Sequence, residues 1–301
     1  MIIESQNVSF ENSVSNNQCL SFNYANNLFE SKQIEFNENK FKTLKLKNSD
    51  DKYNNLAKLL SDECDFDIKC AIYNDDSILE FKDRKQFEGS ILKQVNDAFE
   101  YINLFNKTKG KIKGLERIDT KDYPEFAIRE ALLNALIHRD YNYSGSILIS
   151  LYDSHIEITS LGGLVKGLNM NDIYLGISET RNPNLCNIFY RLKYIESFGT
   201  GIGRILKSYE NFSKKPIFIN TDNVFKVILY NRNYKDNLKV NMSQEDKIVE
   251  YINKNNNITR VNVEKILNIS TTRAKTILKK MTEIKVIKQI GVGRNISYIL
   301  N

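Results

Sequence analysis

Between Pro124 and Asp140 the chain reads EFAIREALLNALIHR, and Ala127, Ile128, Ala131, Leu132, Leu133, Ala135, Leu136 and Ile137 leave it almost no polar face. That pattern predicts a helix buried on most sides. Pro124 suits a first helical position, with Glu125 at the positive end of the dipole. The exceptions to the apolar pattern matter most. Glu130, Asn134 and His138 recur at i, i+4 and i+8 and share one row. A buried carboxylate and amide need partners, so the row faces a hydrogen-bonded core, a solvated rim or a wet polar cavity.

Around this helix the periodicity alternates between strand and helix. IKCAIYN (68–74) alternates like a half-buried strand, and Ile91, Leu92, Val95, Phe99, Ile102 and Phe105 recur at helical spacing. NKTKGKIKG follows as a linker. SILISLY (146–152) and HIEIT (155–159) predict two strands joined by a tight turn at Asp153-Ser154, and LCNIFYRLKYI predicts a helix. SFGTGIGRI places glycines at the start of another helix, and NVFKVILYN gives a last strand. Strands mixed with helices through hairpin connections predict an α+β layer rather than a doubly wound parallel sheet. The first sixty residues read as short helices without an apolar segment able to form its own core.

The C-terminal sixty residues follow a different rhythm: helix, helix, helix, hairpin. SQEDKIVEYINKN opens with Ser243 and Asp246 in a capping-box-like arrangement, and Ile258–Leu267 makes a second helix. Ser270 caps a third, TTRAKTILKKM, whose core face is Ala274, Ile277, Leu278 and Met281. Thr271, Thr272, Arg273, Lys275, Thr276, Lys279 and Lys280 occupy its other face. Two β-rich runs around Gly291-Val292-Gly293-Arg294 form a hairpin with a basic tip. The order matches a winged helix-turn-helix, with the third helix in the major groove of double-stranded DNA. Thr271, Thr272, Arg273 and Thr276 are candidates for base edges, and Lys275, Lys279, Lys280 and Arg294 for phosphates. Winged helices also serve protein contacts, and that alternative stands beside the first.

Charge sharpens this division. The formal net charge of the 301 residues is +6, and 11 Lys/Arg against 5 Asp/Glu between Met242 and Asn301 account for all of it. Residues 1–241 carry 32 of each sign. A basic excess confined to one end is the pattern of a nucleic-acid-facing unit. Composition adds little else: 41% hydrophobic and 27% charged describe a globular chain, with no run long enough to span a bilayer and no signal-peptide pattern, so no membrane partner is expected and the chain reads as cytoplasmic. Cys19, Cys64, Cys70 and Cys186 have no metal-ligand spacing and read as reduced thiols.

The polar row and the glycine cluster together resemble a known family. From about Ser61 to Tyr230 the chain is similar to the divergent ATP-binding domain of GHKL type, shared by gyrase, histidine kinases and MutL and found in bacterial transcriptional regulators described as RecG-like or Schlafen/AlbA-type. REALLNALIHRDY resembles the family's N-box, IEITSLGGL its first glycine box, RNPNL the stretch in its lid region and ESFGTGIGRI its second glycine box. The resemblance implies that Asn134 holds Mg²⁺ against the phosphates of ATP and that Glu130 activates the attacking water. It implies nucleotide contacts from His138, Ser160, Gly162, Gly163, Gly199, Thr200, Gly201 and Gly203. One position departs from the pattern: Thr159-Ser160-Leu161 stands where the family carries an Asp that reads the adenine amino group, leaving the Ser160 hydroxyl as the substitute. The sequence has no GxxxxGK[ST] phosphate loop, which excludes a helicase motor.

The expected organisation is a helical segment at 1–60, a remnant of a linker to an absent upstream AlbA-type domain; a GHKL-like nucleotide-binding domain at 61–232, built as an α/β sandwich; a linker at 233–241; and a winged helix at 242–301. The leading expectation is a nucleotide-gated DNA-binding regulator. Its alternatives are a working ATPase closing as a nucleotide-bound homodimer, and an inert scaffold for a protein-binding winged helix.

Overall fold

The computed structural model describes residues 9–76, 79–196, 201–234, 244–291, 293 and 296–301. Gly199, Thr200, Ser243 and Arg294, singled out above, lie outside the described residues. The chain divides into two compact units, residues 1–234 and 235–301.

The first unit opens with a 3-10 turn at Phe10–Asn12 and the helices α1 (Asn23–Ser31), α2 (Glu38–Phe41) and α3 (Asn55–Leu60). Strands β1 (Ile68–Tyr73) and β2 (Phe81–Phe87) lead into α4 (Ile91–Phe105). The hairpin β3 (Thr108–Lys113) and β4 (Glu116–Lys121) precedes α5 (Glu125–Ile137). Then come β5 (Ile147–Leu151), β6 (His155–Leu161), α6 (Met170–Tyr174), α7 (Pro183–Arg191), α8 (Gly201–Ser208), β7 (Ile217–Asn220) and β8 (Val224–Tyr230).

Six strands form one sheet in the order β2-β1-β5-β6-β8-β7. Only β1 and β5 run parallel; the other neighbours are antiparallel. Burial alternates along β5 and β6, with Ile147, Ile149, Ile156 and Ile158 at 1% exposure or less. One face of the sheet therefore carries the apolar residues while the other stays polar or half-open, the pattern of a sheet covered by helices on one side. The unit is a mixed α+β structure.

Four features depart from the sequence reading. The expected linker NKTKGKIKG is instead strand β3 of a hairpin; its Lys/Gly/Lys alternation lacks the apolar face that periodicity detects. Strand β2 escaped notice for the same reason, exposed along all but Phe87. Pro124 is the residue before the first turn of α5 rather than its first member. Residues 9–60, expected as a linker remnant, join the main core: Phe22, Phe29, Leu46 and Leu56 belong to the cluster that holds Leu132, Ile149 and Leu229.

The second unit consists of α9 (Gln244–Asn255), α10 (Arg260–Leu267), α11 (Thr271–Glu283), β9 (Ile287–Ile290) and β10 (Ser297–Leu300), the two strands pairing antiparallel. It has a core of its own in Ile248, Ile252, Ile258, Val263, Ala274, Ile277, Leu278, Met281 and Ile287. Thr259 and Asn262 cap α10 reciprocally, and Ser270 Oγ accepts from Arg273 N at 3.4 Å at the start of α11.

Candidate functional site

Helix α5 builds one wall of a cavity of about 230 Å³. All eight of its apolar residues between Ala127 and Ile137 are at 7% exposure or less, which fixes the helix rotationally. The polar row is then directed to one place, and Glu130, Asn134 and His138 all line the cavity. Facing them are Ser160, Gly162 and Gly163 at the end of β6 and Gly201 at the start of α8. Ser160, 3% exposed, is in phase with Ile156 and Ile158, so strand alternation points it inward.

The glycines mark three close approaches. Gly162 has φ +98°, and a Cβ there would sit 2.8 Å from Asp140 Cβ. At Gly163 a Cβ would lie 2.0 Å from the Thr221 carbonyl oxygen, where the turn before β8 crosses the glycine pair. A Cβ on Gly201 would lie 2.3 Å from Glu130 Oε1, so the first turn of α8 touches the row on α5 directly. Gly203 is exposed, meets nothing at its Cβ position and is not brought to the cavity.

The electrostatics are unusual for a polar pocket. Burial lifts the Glu130 carboxyl above its ordinary range; Arg129 and Arg204 pull it back, and Glu196 reinforces the rise. Burial, with the Arg181 charge beside it, pushes His138 down to about 4, so its ring is neutral near pH 7. Glu130, Glu179 and Glu196 line the cavity, and no Lys or Arg does so among the described residues. Arg204 is paired with Glu196 at 2.9 Å. The remaining lining is largely apolar, including Ile137, Ile173, Ile202, Phe218 and Phe225.

Several residues that hold the site together carried no assigned role in the sequence reading. Arg181 donates from Nη2 to the Gly163 carbonyl at 2.9 Å and from Nε to the His138 carbonyl at 3.3 Å, and its Nη1 lies 3.4 Å from Asp140 Oδ2. Asn182, 2% exposed, donates to the Ile137 and Arg139 carbonyls, each at 2.8 Å. These satisfy carbonyls at the end of α5 that the helix leaves unpaired. Pro183 then starts α7, and the fully buried Glu11 accepts the Asn184 and Leu185 N–H groups at 2.9 and 3.0 Å. Thus the N-terminal segment secures α7, and the residues before α7 secure the end of α5. RNPNL was visible as a motif; its clamping role needs partners from 18 to 174 residues away.

In the second unit Thr271, Thr272, Arg273, Lys275, Thr276, Lys279 and Lys280 are all exposed on α11. Lys280 lies 3.5 Å from Glu245 and Lys279 3.8 Å from Glu283, while Thr276 Oγ1 donates to the Thr272 carbonyl at 3.1 Å. Arg260 Nη1 donates to Thr271 Oγ1 at 3.3 Å. Among the described residues, Thr272, Arg273 and Lys275 are the side chains on this face least engaged within the unit.

The family match falls within the first unit. Residues 145–229 match the family model described as "Putative ATP-dependent DNA helicase recG C-terminal". The DIP2311 protein of Corynebacterium diphtheriae, a solved crystal structure, superposes with a TM-score of 0.65 at 18% identity. That likeness covers 98% of this chain and 64% of the other, so this chain spans about two thirds of its length. No curated protein matches. No helix among the described residues is long and apolar enough to cross a membrane. Residues 145–229 are thus similar to an ATPase-like, RecG-related domain.

Proposed function

We propose that this protein is a DNA-binding transcriptional regulator in which a divergent GHKL-like domain (61–232) binds an adenine nucleotide with Mg²⁺ and thereby alters DNA binding by a C-terminal winged helix (242–301). The convergence of Glu130, Asn134 and His138 with Ser160, Gly162, Gly163 and Gly201 on one cavity carries the reading. The residues fit the group. Glycines allow close backbone approach, Asn134 offers an amide oxygen to a hard cation, and Ser160 offers a hydroxyl to the base. With acidic lining and a neutral His138, a polyphosphate is accommodated only with its charge offset, which favours a Mg²⁺-dependent ligand. When bound, Mg²⁺ would offset phosphate charge, while Asn134 orients it and the apolar lining takes the base. The exposed Thr272, Arg273 and Lys275 on a three-helix unit with a hairpin support the DNA-binding half. The cytoplasm suits both ligands.

The test is thermal unfolding with Mg-ATP, Mg-ADP or EDTA. Ligand at about a hundred times its dissociation constant stabilises by about 2.7 kcal/mol, a rise of a few degrees. Asn134→Ala removes that rise; absence of a rise in the unsubstituted protein defeats nucleotide binding. Operator affinity that is identical with and without Mg-ATP defeats the gating.

A second reading, an ATPase closing as a homodimer, draws on Glu130: a carboxylate made more basic by burial suits general-base chemistry. Phosphate release abolished by Glu130→Gln supports it, and no turnover above buffer in the presence of DNA removes it.

A further inference from the structure

The hairpin β3–β4 stands outside the main sheet, its strands pairing only with each other. Its described side chains between Lys107 and Asp119 are exposed throughout. Residues 107–121 contain Lys107, Lys109, Lys111, Lys113, Arg117 and Lys121 against Glu116 and Asp119, a net of +4, while the rest of residues 1–241 carries a net of −4. Arg117 and Lys121 are paired with Asp119 and Glu125. Among the described residues Lys107, Lys109 and Lys111 make no ion pair. Ile112, near the end of β3, and Leu115, at the turn, are 77% and 106% exposed.

The arm is firmly rooted. Asn106 Nδ2 donates to the Tyr123 carbonyl at 3.0 Å and its Oδ1 accepts Tyr123 N at 2.9 Å, both residues being buried. Arg232 donates to the Lys121 carbonyl from Nε and Nη2, and Asn233 Nδ2 to the Thr120 carbonyl at 2.8 Å. The segment that fastens the arm is therefore the last stretch of the first unit, from which the chain passes to the second at Lys235.

We propose that this hairpin is a second contact surface for duplex DNA. Two strands of six residues make a ribbon about 20 Å long, and the major groove, roughly 12 Å wide, admits a two-stranded ribbon. Lys107, Lys109 and Lys111 neutralise phosphates, and Ile112 and Leu115 meet thymine methyls or sugars. Charge complementarity selects this partner over arm-to-arm pairing with a second copy of the chain, in which two arms at +4 would repel. The inference adds a surface to the DNA-binding reading and does not depend on α11.

The experiment is duplex binding by fluorescence anisotropy with the full chain, between 50 and 200 mM salt, comparing Lys109→Ser/Lys111→Ser with Arg273→Ala/Lys275→Ala. All positions are exposed, and unchanged thermal midpoints verify folding. The arm variant is expected to flatten the slope of log affinity against log salt by about 2, since each phosphate contact contributes about 0.9. An unchanged slope in the arm variant with a weakened α11 variant overturns the arm while DNA binding stands. Absence of binding by the unsubstituted chain overturns both. A sedimentation shift from dimer to monomer in Ile112→Ser/Leu115→Ser, with DNA binding intact, assigns the arm to a second copy and overturns the proposal.

Discussion

Helices α5 and α11 each contain 13 residues and carry opposite designs. In α5, eight residues are buried and the polar row turns inward onto a cavity; in α11, four are buried and the polar residues face solvent. A helix enclosed on most sides holds its few polar groups in place through surrounding packing, and their acid–base properties shift with burial. A helix buried along one stripe presents its polar groups at no such cost, so chemistry on it depends on what docks from outside.

The largest expected effect tests this contrast in stability. Leu132→Ala should cost about 2–5 kcal/mol in denaturant unfolding, whereas Arg273→Ala or Lys275→Ala on α11 should stay within about 0.5 kcal/mol. Comparable losses from both would break the comparison.

Next comes pH. His138 has a folded pKa of about 4 against 6.5 for the free side chain. Between these values the unfolded chain binds a proton that the native one refuses. Its contribution is therefore fully present above pH 6.5 and falls as the pH drops toward 4, by up to about 3 kcal/mol. The difference between unsubstituted protein and His138→Asn, followed by denaturation from pH 7.5 to 4, should change by that order. No α11 substitution should alter the profile in that window.

Asn182→Ala tests what holds α5 in register. Removing the side chain leaves the buried Ile137 and Arg139 carbonyls without that donor, at about 1–3 kcal/mol. Hydrogen exchange should report loosening at the end of α5. Glu130 should act with the opposite sign to His138. Its raised pKa means that stability declines as the pH rises above 4.5, where the unfolded chain has lost a proton the native one keeps. Glu130→Gln should accordingly raise the thermal midpoint at pH 7.5 and leave it nearly unchanged at pH 4. The smallest effect belongs to the partly exposed pair Lys280–Glu245, where Glu245→Ala should cost less than about 1 kcal/mol and, under the proposed DNA-binding function, slightly strengthen duplex affinity by freeing Lys280.

Much of the site was legible because periodicity carries directional information. Spacing of i, i+4 and i+8 put Glu130, Asn134 and His138 on one row; Ser160 came only from the family resemblance, since the strand expected at 155–159 in fact runs on to Leu161. The core face of α11 followed from Ala274, Ile277, Leu278 and Met281, all at 5% exposure or less. The β3–β4 hairpin did not follow, because cross-strand pairing of lysines and glycines leaves no apolar trace. Glu11 was equally hidden, since its partners Asn184 and Leu185 lie more than 170 residues away.

The sequence by itself determined which positions are apolar, which polar groups share a face and where positive charge accumulates, because these depend on local order and helical or strand geometry. Only the tertiary structure decided that the row on α5 opens onto a cavity, that its His is neutral and its Glu more basic, and that Arg181 and Asn182 secure its end. Those properties arise from desolvation and hydrogen bonds between segments remote in the chain, and no local spacing encodes them.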